Sequence, residues 1–122
     1  MINDKTIDEN TGFLMPSAKH FDVLKLFSLE NTTTLITGSA QGIGRVAAIA
    51  CGKAGGKIAI TDKDFNSAKL LEKELHEAGI NAKAWELDVK IEENIIKVFN
   101  EVISTFGSID VLINNAGTAN RS

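Results

Sequence analysis

Apolar and polar positions fall into blocks along this chain, and the blocks change period. Thr33-Thr34-Leu35-Ile36 is β-branched and apolar and predicts a strand over about Thr33 to Thr37. Val46, Ala47, Ala50 and Ala54 then keep helical spacing, which predicts a helix from about Ile43 to Ala54 that stops at Gly55-Gly56. Lys57-Ile58-Ala59-Ile60-Thr61 predicts a second strand ending at Asp62. Ala68, Leu71, Leu75 and Ala78 share one face of a helix from about Phe65 to Ala78, with Gly79 as its stop. Asn81 to Leu87 alternates less cleanly, and its Lys83 suits the edge of a sheet. Ile91, Ile95, Val98, Phe99, Val102 and Phe106 give the clearest helical period, from about Ile91 to Phe106, and Gly107 ends it. Ile109 to Ile113 predicts a fourth strand, followed at once by Asn114-Asn115-Ala116-Gly117.

Strands alternating with helices of this length call for a parallel α/β sheet. Right-handed crossovers favour the order 3-2-1-4, counted from the Thr33 strand, which is a Rossmann-type doubly wound sheet cut off after its fourth strand. The first two helices then cover one face and the third covers the other. The winding reverses between strands 1 and 4, and ligands bind in the crevice at such a reversal. The expected organisation is an extension and lead-in over residues 1–31 and a dinucleotide-binding domain, incomplete at its C-terminus, over residues 32–122. Met1 to about His20 shows no period and reads as a flexible extension, or else as an arm on a neighbouring subunit. Phe21 to Leu29 is a more apolar lead-in. Strand 4, apolar at Val111, Leu112 and Ile113, would be left as an exposed edge that invites pairing with another chain.

The strand-to-helix turn Thr37-Gly38-Ser39-Ala40-Gln41-Gly42-Ile43-Gly44 carries the main candidate chemistry. It points the free N–H groups and the positive dipole end of a helix at a bound anion, which makes a phosphate site. Gly38 allows the tight turn, Gly42 lets a pyrophosphate approach the backbone, and Gly44 lets the helix pack close to the sheet. Ser39, Gln41 and Ile43 complete the candidate set in this turn. Asp62, about 20 residues further on, can accept from an adenosine ribose or can cap the next helix, with Asp64 or Asn66 as rival caps. As a ribose acceptor it repels a 2′-phosphate and favours NAD over NADP, whereas the Lys63 ammonium beside it can tolerate that phosphate. Asp88 can accept from an adenine amino group or cap the third helix, and Val89 can line the adenine ring. Asn115, Ala116 and Gly117 fall in the same crevice, and Asn114 reads as a loop stabiliser.

Composition narrows the field. Thirteen Lys and Arg against sixteen Asp and Glu give a net charge of −3 with the signs interspersed, unlike the basic footprint of a nucleic-acid binder. The single cysteine, Cys51, allows no intrachain disulfide, fits a cytoplasmic location and reads as a small core residue. No apolar run approaches the ~18 residues of a membrane span. His20 and His76 have no partner at ligand or triad spacing, Trp85 reads as packing, and Lys69 to Glu77 and Glu92-Glu93 read as solvated helix faces.

The glycine turn, Asp62, Asp88-Val89 and Asp110-Val111-Leu112-Ile113-Asn114-Asn115-Ala116-Gly117 together resemble the short-chain dehydrogenase/reductase family, over about Phe27 to Gly117. The resemblance implies NAD(P)-dependent oxidation of an alcohol or reduction of a carbonyl. It also implies a catalytic Ser, a Tyr-x-x-x-Lys pair and a relay Asn beyond the region seen here. This sequence contains no tyrosine, so no catalytic residue is assigned. The expected function is therefore the N-terminal NAD(P)-binding part of such an oxidoreductase, catalytically incompetent alone. The expected partners are the dinucleotide and, at the strand 4 edge, a C-terminal complementing half or a second copy. The alternatives are a stand-alone dinucleotide-binding or interaction module, and a truncated gene product without function.

Overall fold

A computed structural model describes Lys5–Ile7, Leu14–Pro16 and residues 28–116 of the chain. The stretch read as a flexible extension holds a short antiparallel pair, β1 (Lys5–Ile7) with β2 (Leu14–Pro16), in which Thr6 lies opposite Met15. Strands of three residues are too short to carry a legible alternation, which is why the pattern did not predict them. His20 and Gly117 lie outside the described residues.

The main unit runs β3 (Thr33–Thr37), α1 (Gly42–Lys53), β4 (Lys57–Asp62), α2 (Phe65–Glu77), β5 (Ala82–Glu86), α3 (Glu92–Phe106) and β6 (Val111–Asn114). All pairings among its strands are parallel, and the order is β5-β4-β3-β6, the predicted 3-2-1-4. Leu35 lies opposite Ala59 on one side and Leu112 on the other. β3 is buried at every position and β4 at its four inner ones, as expected of strands covered on both faces. At the edges, β5 and β6 show mixed burial.

Two apolar layers hold the sheet. On one face Ile36, Ile58, Ile60, Ala82 and Ala84 pack against Ala48 of α1 and Ala68, Leu71 and Leu75 of α2. On the other, Leu35, Ala59 and Trp85 pack against Val98 and Val102 of α3. Each fully buried Leu or Ile contributes about 1.5–3 kcal/mol relative to exposure. Trp85 is the packing residue that the sequence suggests. Its ring meets Phe106 edge-on at 6.0 Å, and its Nε1 donates to Glu101 Oε1 at 3.1 Å. Cys51 packs half-buried against the first layer, and its thiol is pushed up by burial. α3 does not shield β6, so Leu112 stays 52% exposed at the sheet edge.

β6 begins two residues later than the pattern suggests. The cause lies in Asp110, whose N–H donates to Thr33 O at 2.9 Å while its Oδ2 accepts from Thr33 N at 2.8 Å. A side chain thus takes the ladder position at the start of β3. Ser108 Oγ donates to the same carboxylate oxygen at 2.8 Å. Lys57 Nζ donates to Phe106 O at 2.9 Å and satisfies a terminal carbonyl of α3.

The Thr33 N–H first, then the Ser108 hydroxyl, hold the Asp110 carboxyl below the ordinary carboxylate range, with Lys57 adding to both. A carboxyl depressed in the folded state contributes stability above its unfolded pKa, and that contribution is lost as pH falls through the lowered folded value. Denaturant midpoints of the native chain and of Asp110→Asn should differ at neutral pH and converge in acid. A gap that stays constant with pH would remove Asp110 from the account.

Candidate functional site

The turn between β3 and α1 is braced from two sides. Ser39 is fully buried, its N–H donates to Thr61 O at 3.0 Å, and its hydroxyl both donates to Thr61 O and accepts from Thr61 N. Ser39, one of the candidate set, thus spends both its hydroxyl and its amide on Thr61 of β4. Asp62 Oδ2 accepts from Ala40 N at 2.9 Å, and its Oδ1 accepts from Asp64 N at 2.9 Å. The carboxylate thus sits directly under the glycine turn. The cap of α2 is Asp64, which accepts from Ser67 N and Ser67 Oγ. The Ser67 hydroxyl, then its N–H, lower the Asp64 carboxyl.

α1 opens on Gln41 in extended geometry with no side-chain cap and no acid in its first turn. Its first N–H groups have no intrahelical acceptor, and the helix dipole adds positive potential there. Gln41, Gly42 and Ile43 are exposed, Ile43 at 80%. Gly42 has φ +64°, and a Cβ built on it meets nothing within 4 Å. The protein leaves that space empty, so the left-handed backbone and not crowding requires glycine at this position.

Gly44 is the opposite case. A Cβ there would come 2.2 Å from Gly38 O and 2.6 Å from Asn115 Nδ2. Only a bare Cα lets the first turn of α1 lie against the Gly38 carbonyl, which accepts from Asn115 Nδ2 at 3.0 Å. Thr37 ties the same loops together. Its hydroxyl donates to Asn114 Oδ1 at 3.1 Å and accepts from Asn115 N and Ala116 N, each at 2.9 Å. Asn114 is thereby the loop stabiliser that the sequence suggests. Asn115 spends its N–H and its amide nitrogen on the end of β3, and Ala116 lies against Gly38.

Three loops therefore converge, those after β3, β4 and β6. The hydrogen bonds of Asp88 run instead to Lys90, Ile91 and Asn94. Asp88 does not cap α3, whose cap position is Ile91. Its Oδ1 accepts from Lys90 N, and its own N–H donates to Asn94 Oδ1 at 2.7 Å, so it closes a turn. Val89 packs half-buried against the α3 side of the core. Lys63 is exposed. Thr37, read from the sequence only as the first residue of the glycine turn, organises the loops through its hydroxyl. The available signal was a hydroxyl at the end of a β-branched strand, immediately before a glycine.

Three substitutions test this construction. Gly44→Ala should destabilise the chain by about 1–3 kcal/mol through overpacking, and Gly42→Ala by about 1–2 kcal/mol through backbone strain alone. Thr37→Val keeps the shape but strands two N–H groups, at about 1–3 kcal/mol. Thermal denaturation reads all three, and a neutral Thr37→Val would refute the hub.

Comparison with known proteins supplies the context for this geometry. A family model described as short chain dehydrogenase matches residues 32–122. The 5-keto-D-gluconate 5-reductase of Escherichia coli K12 is 43% identical over 96 residues, which cover 79% of this chain and 38% of that protein. Sorbose reductase SOU1 of Candida albicans is 37% identical, over 80% of this chain and 35% of its own length. A 7α-hydroxysteroid dehydrogenase solved with NADH and 7-oxo glycochenodeoxycholic acid superimposes with a TM-score of 0.77 at 31% identity, covering 80% of this chain and 38% of that one. The chain thus spans little more than a third of the length of these relatives, and it corresponds to the N-terminal, cofactor-binding part of their fold. With the strand order, the glycine turn and the loop after β6 in agreement, the chain belongs to the short-chain dehydrogenase family.

Proposed function

We propose that this chain binds the adenosine and pyrophosphate portion of a nicotinamide dinucleotide and forms the cofactor-holding part of an oxidoreductase acting on an alcohol–carbonyl pair. The observation that carries this reading is the uncapped start of α1, with open space in front of Gly42 and no acidic residue in its first turn. An anionic group fits there because the N–H groups have no other acceptor and the dipole favours negative charge. The dinucleotide supplies hydride transfer, while the protein binds and orients it.

Gly38, Gln41, Gly42, Ile43 and Gly44 line the pyrophosphate side of this site. Asp62, held under the turn by Ala40 N, turns its charge toward the ribose and favours NAD over NADP. Lys63 flanks it, and Asp88 and Val89 bound the adenine side. Asn115, Ala116 and Gly117 bound the nicotinamide side. The names of two relatives, reductases of a keto-sugar acid and of sorbose, point to a sugar-like carbonyl as the substrate class. The general acid–base groups lie outside residues 1–122, in polypeptide that completes the sheet beside β6, where Leu112 is exposed, and residues 1–122 alone turn nothing over.

Titration of the chain with NADH and NADPH tests the reading. Saturable NADH binding is expected. Gly42→Val should weaken it by about tenfold or more, since a side chain there enters the phosphate space. Asp62→Asn keeps an acceptor for Ala40 N but removes the charge, so the preference for NADH over NADPH should shrink by about tenfold. A folded chain that shows no saturable binding would overturn the proposal.

A further inference from the structure

The two edges of the main sheet are finished differently. In the parallel pairing of β5 with β4, Ile58 N donates to Asn81 O and Leu87 N donates to Asp62 O. The odd-numbered residues of β5 therefore serve β4, and the even-numbered ones direct their N–H and C=O groups outward. An outward row of this kind is what a strand from another chain pairs with.

On β5 two groups of that row are taken by side chains of α2. Glu72 Oε2 accepts from Ala84 N at 2.8 Å, and His76 Nε2 donates to Ala82 O at 2.6 Å. The geometry follows from two repeats that nearly match. Residues four apart on a helix are about 6 Å apart along its axis, and like-facing groups on a strand repeat every ~6.6 Å. Helix positions 72 and 76 can thus meet strand positions 84 and 82 at once. Lys69 Nζ holds the other oxygen of Glu72 at 2.6 Å. Burial pushes the Glu72 carboxyl up, but the Lys69 and Ala84 hydrogen bonds outweigh it and keep the group below its usual range. From the sequence alone this stretch reads as a solvated face. In the fold, the side chains of Glu72 and His76 turn to the strand. Among the described residues β6 has no such cover.

We propose that α2 acts as a surrogate strand for β5. Glu72 and His76 close its outer edge to strand pairing, so that pairing with another polypeptide is directed to β6. The partner excluded is an extended strand, in the first instance the β5 of a second copy.

Amide exchange and sedimentation on the full chain test this. In Glu72→Ala, exchange at Ala84 N–H should accelerate by about tenfold, the scale of one lost hydrogen bond, while Ile60 N–H in the sheet centre stays protected. Glu72→Gln keeps a carbonyl acceptor and should leave Ala84 protected. The double variant Glu72→Ala/His76→Ala should associate with rising concentration and regain Ala84 protection as it does so. Unchanged Ala84 exchange in folded Glu72→Ala, or a double variant that sediments like the native chain, would overturn the proposal. If Ile60 also loses protection, the helix has come away. His76→Ala then carries the test, because it frees only the Ala82 carbonyl. Self-association of that variant is expected, and its absence refutes the latch.

Discussion

The crevice depends on one close approach. The Gly38 carbonyl must lie against the first turn of α1 without a methyl group between them, and Gly44 provides that clearance. Once the two are in contact, Asn115 can reach the carbonyl from the loop after β6, and Thr37 can gather the backbone N–H groups of Asn115 and Ala116. The positive end of α1 is thereby fixed relative to two strand ends. Asp62 completes the arrangement from the β4 side through Ala40 N. Hydrogen bonds in this group are made to buried or half-buried partners, where an unmade bond costs more than a made one contributes. The result is a turn braced from three strand ends, with the first N–H groups of α1 left uncapped.

The rest of the fold serves to hold β3 still. β3 and β4 lie between two apolar layers, and their ends are trimmed by side chains that replace missing backbone partners. Asp110 does this for Thr33 N, Lys57 for the end of α3, and Glu72 and His76 for the rim of β5. Four ionisable side chains thus do structural work at element boundaries, whereas α1 starts in the crevice with neither a side-chain cap nor an acidic residue in its first turn.

Much of this was legible in the sequence because local pattern and global topology agree. The run Thr33-Thr34-Leu35-Ile36, the alanine-spaced α1, the strong period of α3 and the glycine stops gave the element order, and handedness rules gave the strand order. Gly42 and Gly44 were legible with the difference between them, one open and one crowded, though the atoms that crowd Gly44 were not. The partners of Ser39 were not legible, because a serine in a glycine turn reads the same whether it faces a ligand or Thr61. Asp62 and Asp88 were left between two roles, and in each case the capping alternative failed on a neighbour, Asp64 or Ile91. Thr37 and the Glu72–His76 pair stayed hidden because their partners are set by tertiary contact. No spacing rule links a hydroxyl on one strand to a loop six elements away.

The Thr37 contacts also carry a message about time. They join residues 77 to 79 positions apart, and Asp110 to Thr33 spans 77. Every other strand pairing here closes a far shorter loop. Loop closure must be met before such distant contacts repay it, so they are the slow ones to form. A chain with β3, β4 and β5 already stacked under α1 and α2 has most of its core but no crevice, because Asn115 has not arrived. Contact order thus predicts that the crevice closes late in folding, and a dinucleotide bound there, as proposed, would stabilise the last strand to dock.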